Sequence, residues 1–64
     1  MIINGENHEI KSGFSILELI QKFKLDPDMV AVELNGSICR RESWEKIQLK
    51  ENDRIELLKF VGGG

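Results

Sequence analysis

The chain has 64 residues, of which 41% are hydrophobic and 31% are charged, a balance typical of a soluble globular protein. This length allows one small domain and excludes multidomain enzymes and doubly wound nucleotide-binding folds. The formal net charge of −2 provides no excess of cations for binding nucleic acid. No apolar run is long enough to cross a membrane, and the first residues lack the basic and apolar zones of a secretory signal.

Residues suited to metal or nucleophilic chemistry are scarce. The single cysteine, Cys39, cannot form an intramolecular disulfide, and it predicts a reducing, cytoplasmic location. Cys39 and His8 do not have the spacing of a zinc site, and the chain offers no pattern for a catalytic triad. We therefore expect no metal site and no catalytic residue. Cys39 is predicted to pack as a small apolar residue, and His8 to lie on the surface.

The first half of the chain reads as a hairpin followed by a helix. Residues 1–3 predict a short strand, Asn4-Gly5 a tight turn, and residues 7–11 the return strand with Ile10 facing inward. Ser15 and Glu18 have the spacing of a capping box, which predicts the start of a helix.

The predicted helix carries one apolar stripe. Apolar residues recur at positions 16, 19, 20 and 23, which is the spacing of a single helical face. Asp26-Pro27-Asp28 is predicted to stop this helix, because the residue before a proline avoids helical geometry.

The second half reads as strands joined by short turns. Its predicted elements are a strand at 29–34, the turn Asn35-Gly36, a short strand at 38–39, a helical turn at 41–46 and a last strand at 54–60. Trp44 is predicted to anchor the helical turn on the core.

This element order predicts an α+β fold, a ubiquitin-like β-grasp. We expect a mixed sheet of four to five strands with one crossing helix and a short second helical turn. The first and last strands should be parallel neighbours, because the helix supplies the crossover between them. Residues 1–61 would form the domain, and residues 62–64 a flexible glycine tail.

The glycine tail has the most chemical content. Gly62, Gly63 and Gly64 lack a Cβ, so such a tail can enter a channel too narrow for other residues. Its terminal carboxylate, ionised at neutral pH, could attack the α-phosphate of ATP, and a sulfur nucleophile could then displace AMP. A passive tail remains the alternative, because terminal residues are often without function.

Four features stand out along the chain: Asn35-Gly36, the Arg41-x-x-Trp44 spacing, Asp53, and the ending Phe60-Val61-Gly62-Gly63-Gly64. In these residues the whole chain, from residue 1 to residue 64, resembles the ThiS family of sulfur carriers in thiamine (thiazole) biosynthesis.

The resemblance implies a carrier and not an enzyme. An E1-like, ThiF-type enzyme would use ATP to adenylate the Gly64 carboxylate, with Gly63 as its required neighbour. Sulfur from a cysteine desulfurase relay would then produce a thiocarboxylate, which would donate sulfur to a ThiG-type thiazole synthase. No cofactor would be bound permanently, and the free carrier is expected to be a monomer.

The last strand predicts a docking surface. If Ile55 and Leu57 face the core, alternation puts Glu56, Leu58 and Phe60 on the opposite face. Ala31 and Glu33 of the third strand would share that face. We expect partner enzymes to bind Leu58, Phe60 and Glu33 while the glycine tail enters the active sites of those enzymes. Scattered exposure without function is the simpler interpretation of these apolar residues.

Two alternative functions also stay open, a sulfur carrier for another acceptor such as molybdopterin and a passive β-grasp interaction module with an inert tail.

Overall fold

The computed structural model describes residues 1–10 and 13–60. Within these residues the protein forms five strands and one α-helix: β1 (Ile2–Ile3), β2 (Glu6–Asn7), α1 (Ile16–Lys22), β3 (Val30–Leu34), β4 (Ser37–Cys39) and β5 (Arg54–Lys59). The strands form one mixed sheet in the order β2-β1-β5-β3-β4. Two 3₁₀ turns, Pro27–Met29 and Arg41–Ser43, complete the described part.

The sheet has the predicted β-grasp topology. β1 and β5 are parallel neighbours, with Ile3 opposite Ile55, and β5 is antiparallel to β3. A parallel pair needs a long crossover, and α1 lies on the connection that supplies it. The prediction of parallel first and last strands is therefore confirmed.

The first hairpin turns at the predicted residues, but its return strand is shorter than predicted. Asn4 and Gly5 have φ values of 52° and 82°, the positive angles that a tight hairpin turn requires. Strand β2 ends at Asn7, and the His8 amide adds one further bond to the Met1 carbonyl at 2.8 Å. The sequence predicted a strand over residues 7–11, of which residue 11 lies outside the described residues. The Ile10 amide donates to the His8 carbonyl at 3.0 Å, a tight turn that brings Ile10 into the core as predicted.

Helix α1 begins at the predicted capping box. The Glu18 amide donates to Ser15 Oγ at 3.1 Å, and the Ser15 amide donates to Glu18 Oε1 at 3.0 Å. These two bonds satisfy backbone donors that the first helical turn leaves without partners. The apolar stripe faces the core, with Ile16, Leu19 and Ile20 fully buried.

The helix ends earlier than Asp26-Pro27-Asp28 predicted. Its last residue is Lys22, and Lys24 adopts a left-handed backbone with φ of 55°. The Lys24 amide donates to the Gln21 carbonyl, and the Leu25 amide to the Ile20 carbonyl. Such bonds satisfy the last helical carbonyls and terminate a helix without help from the proline, which starts the following 3₁₀ turn instead.

The core lies between α1 and the inner face of the sheet. Its buried apolar residues are Met1, Ile3, Ile10, Ile16, Leu19, Ile20, Val30, Val32, Trp44, Leu49, Ile55 and Leu57. Trp44 anchors the second helical turn as predicted, and its Nε1 donates to the Cys39 carbonyl at 3.0 Å. Cys39 packs against this core, which confirms its predicted role, whereas His8 is half-buried beside the Phe23 ring instead of fully exposed.

The described residues offer neither a metal site nor a membrane span. No three His, Cys, Asp or Glu side chains of residues 1–10 and 13–60 come together as metal ligands would. In the same residues, no helix has the length and apolar character needed to cross a bilayer.

Candidate functional site

The reactive end predicted from the sequence lies beyond the part of the chain that the structure describes. Phe60 is the last described residue, so Val61 and the predicted flexible tail of Gly62, Gly63 and Gly64 lie outside the described residues. The structure describes the surface of the sheet from which the chain continues toward these glycines. The geometry of that surface is therefore what the structure contributes to the site.

Strand β5 separates buried from exposed side chains as its alternation predicts. Ile55 and Leu57 are 0% and 7% exposed, so they belong to the core. Leu58 and Phe60 are 49% and 59% exposed. Large apolar side chains exposed close together are a recognised mark of an interaction surface.

Strand β3 adds its own residues to the same side of the sheet. Ala31 lies opposite Leu58, and Glu33 lies opposite Glu56. Together with β4, these strands form a surface that we call the outer face. It consists of Ala31, Glu33, Ile38, Arg54, Glu56, Leu58 and Phe60. The predicted docking residues Leu58, Phe60 and Glu33 thus share one face, although their binding role stays a prediction.

The sequence placed Glu56 on this face by alternation, but it did not predict that Ile38 of β4 lies there too. Ile38 is 65% exposed and lies opposite Glu33 on β4. A sequence signal for Ile38 was present, because Asn35-Gly36 is a two-residue turn. Such a turn pairs Leu34 with Ser37 and therefore Glu33 with Ile38, which is the observed register.

The outer face carries an unneutralised acidic pair. Glu33 and Glu56 are half-buried and directly opposite each other across two strands. Like charges in such a pair repel and destabilise a sheet. Within residues 1–10 and 13–60, the ion pairs closer than 4.0 Å are Arg41–Asp28 and His8–Glu6, so neither glutamate has a cationic partner there.

Hydrogen bonds hold β5 in place along both edges. On the β1 side, Asn4 Oδ1 accepts from the Leu57 amide at 2.7 Å, where β1 itself has ended. On the β3 side, the Phe60 amide donates to the Met29 carbonyl at 2.8 Å. The strand that leads toward the glycines is therefore paired as far as its last described residue.

A second polar network fixes the start of β5. Asn35 Nδ2 donates to Asp53 Oδ1 at 3.0 Å, and Asn35 Oδ1 accepts from the Arg54 amide at 2.9 Å. Asp53 Oδ2 also accepts from the Lys50 amide at 2.7 Å. These bonds join the β3–β4 turn to the turn before β5, which gives Asn35 and Asp53 a structural role.

Arg41 has a bracing role as well. Its guanidinium pairs with the Asp28 carboxylate and connects the two 3₁₀ turns. Both side chains are more than half exposed, so the pair contributes little stability. Arg41 and Trp44 thus both hold the second 3₁₀ turn in place. Arg41 does so at the surface and Trp44 in the core.

Comparison with known proteins gives a consistent result. The model of the ThiS family matches residues 1–64. The sulfur carrier protein ThiS of Bacillus subtilis is 33% identical over 63 residues, which cover 97% of this chain and 96% of that protein. The crystal structure of the thiamine biosynthesis protein ThiS from Geobacter metallireducens superposes with a TM-score of 0.79 at 32% identity, covering 98% of this chain and 96% of that one.

A longer relative contains a region similar to this chain. A thiazole synthase of Magnetococcus marinus is 36% identical over 62 residues, which are 97% of this chain and 19% of that protein. The chain therefore spans about a fifth of that enzyme's length.

Proposed function

The chain belongs to the ThiS family, and we propose that it carries sulfur for thiazole formation on the carboxylate of Gly64. It is a small sulfur carrier of thiamine biosynthesis and not an enzyme. The observation that carries the proposal is the family match, which extends through the terminal glycine.

The chemistry proceeds in two displacements at the end of the tail. A carboxylate oxygen of Gly64 attacks the α-phosphorus of ATP, and pyrophosphate leaves. A cysteine desulfurase relay delivers the sulfur as a persulfide, and a thiol reductant releases it at the oxidation level of sulfide while the thiols become a disulfide. This sulfur then attacks the acyl carbon, and AMP leaves. The product is a thiocarboxylate. The carrier contributes position, since it delivers the acyl carbon into the enzyme's site in the correct orientation.

Two proteins act on this tail in the proposal. A ThiF-type enzyme adenylates Gly64, and a ThiG-type thiazole synthase accepts the sulfur. The thiazole synthase of Magnetococcus marinus supports the second partner, because part of its own length is similar to this chain. The outer face, with exposed Leu58 and Phe60 on the strand that leads to the glycines, supplies the docking surface.

Intact-mass spectrometry tests the proposal. The full chain is incubated with ATP, the ThiF-type enzyme and a sulfide source. We expect a mass gain equal to the replacement of one oxygen by sulfur, assigned to Gly64 by fragmentation.

A chain without Gly64 is the matched control, and it should stay unmodified. An unmodified full chain, with an enzyme shown to be active on another carrier, would contradict the proposal and favour an inert tail. Sulfur transfer from the thiocarboxylate to a molybdopterin precursor, but not to a thiazole synthase, would favour the other acceptor.

A further inference from the structure

The acidic pair Glu33–Glu56 has no role in the fold that the structure reveals. Among the hydrogen bonds of residues 1–10 and 13–60, none involves either carboxylate. Their direct opposition across β3 and β5 works against the sheet, because like charges so placed repel. A pair of carboxylates that destabilises the free protein, and that has no partner among residues 1–10 and 13–60, is available to another protein.

Apolar side chains surround this charge. Ile38, 65% exposed, lies beside Glu33 on the neighbouring strand, and Leu58, 49% exposed, follows two residues after Glu56 on β5. A partner that covers these apolar side chains also removes water from the two carboxylates. Burying two carboxylates without a counter-charge is strongly unfavourable, so the partner has to supply a cation.

We propose that the activating enzyme places an arginine between Glu33 and Glu56, with apolar side chains around it that cover Ile38 and Leu58. This inference rests on the proposed function and names the chemistry of its first partner. Opposite residues of an antiparallel pair have Cβ atoms about 4.5–5.5 Å apart. One planar guanidinium, with five donors, can therefore bond both carboxylates, which the compact ammonium of a lysine does less well.

A cation of the chain itself lies near but does not neutralise the pair. Arg54 lines the same shallow depression as Glu33 and Glu56. Within residues 1–10 and 13–60, no ion pair closer than 4.0 Å joins the Arg54 guanidinium to either carboxylate. The depression therefore remains open to an arginine from outside.

A charge reversal tests the proposal without weakening the fold. In Glu33→Lys the like-charged pair becomes a Lys–Glu pair, which should raise the thermal midpoint by about 2–4 °C. Binding of the activating enzyme, measured by calorimetry on the full chain, should weaken by at least about tenfold. A variant that is more stable but binds less cannot owe its defect to unfolding.

Glu45→Lys is the matched control. Glu45 is exposed and follows Trp44, whose carbonyl bonds the Leu17 amide, so this residue lies on the helix side of the sheet. Glu45→Lys changes the net charge by the same amount as Glu33→Lys. The affinity of this variant for the activating enzyme should stay within about twofold of the wild type. Equal binding by Glu33→Lys and the wild type, or equal losses in both variants, would overturn the proposal.

Salt dependence gives a second readout that does not need a reversed charge. In Glu33→Gln/Glu56→Gln both carboxylates become neutral amides, which relieves the repulsion in the free protein. Affinity of the wild type should fall as sodium chloride rises from about 0.05 to 0.5 M, and that of the double variant should fall less. Identical salt dependence would refute an arginine at this position.

Failure of this inference can be told apart from failure of the proposed function. Thiocarboxylate formation on the wild type, seen by intact mass, with undiminished binding of Glu33→Lys would overturn the arginine and retain the carrier. No modification of the wild type by an active enzyme would overturn both.

Discussion

The hydrogen bond between Asn4 and Leu57 allows a sharp test of how β5 is held. Asn4 combines two tasks, since it turns the first hairpin with φ of 52° and accepts the Leu57 amide at 2.7 Å. Asn4→Gly keeps the turn geometry but removes the acceptor. Asn4→Ala removes the acceptor and also forces an alanine into the left-handed region.

The structure sets the size of each effect. Loss of the acceptor from a partly buried backbone donor should cost about 1 kcal/mol of the free energy of unfolding. Left-handed backbone adds about 1 kcal/mol for alanine and almost nothing for glycine. Asn4→Ala should therefore lose about twice as much stability as Asn4→Gly. Asn4→Asp keeps both the acceptor and the turn preference, so it should stay close to the wild type.

Urea unfolding followed by Trp44 fluorescence measures these differences. With a slope of about 1 kcal/mol per molar urea for so small a domain, the midpoint should fall by about 1 M in Asn4→Gly and about 2 M in Asn4→Ala. Amide exchange adds a local readout, because the Leu57 amide should lose protection in Asn4→Gly. Unchanged protection of that amide, together with an unchanged midpoint, would refute the assigned role of Asn4.

Three other changes test the core, the helix start and the outer face. Leu58→Asp/Phe60→Asp should abolish adenylation by the activating enzyme while circular dichroism shows an intact fold, since both side chains are largely exposed; normal adenylation would remove the docking surface from the proposal. Trp44→Phe loses the bond to the Cys39 carbonyl and should lower stability by about 1 kcal/mol in urea titrations, whereas an unchanged midpoint would make that bond dispensable. Ser15→Ala should cost about 1 kcal/mol through the lost cap, with Ser15→Thr as the conservative control; equal stability of the two variants would count against the capping box.

The elements that the sequence predicted well depend on neighbouring residues. The Asn4-Gly5 turn requires positive φ values, which asparagine and glycine tolerate. The capping box of Ser15 and Glu18 closes over three residues, and its two bonds form as expected. Local chemistry of this kind is complete within one turn, so no distant contact is needed to predict it.

The end of α1 shows where local reasoning fell short. Phe23 continues the apolar stripe, and Pro27 offers a conventional stop, so the pattern predicted a longer helix. The backbone instead terminates the helix at Lys22 through carbonyl bonds from Lys24 and Leu25. The apolar spacing reports which side of the chain is buried, and it does not report where helical hydrogen bonds cease.

The sequence alone determined the main strands and the helix, the α+β class, the side of β5 that is buried and the glycine ending, because alternation, turn residues and caps act over a few positions. Tertiary structure decided which distant residues meet. Asn4 bonds Leu57 across 53 positions, and Glu33 faces Glu56 across two strands that are not consecutive in the chain. Such pairs depend on strand register, which is set when α1 and the sheet pack their apolar faces together.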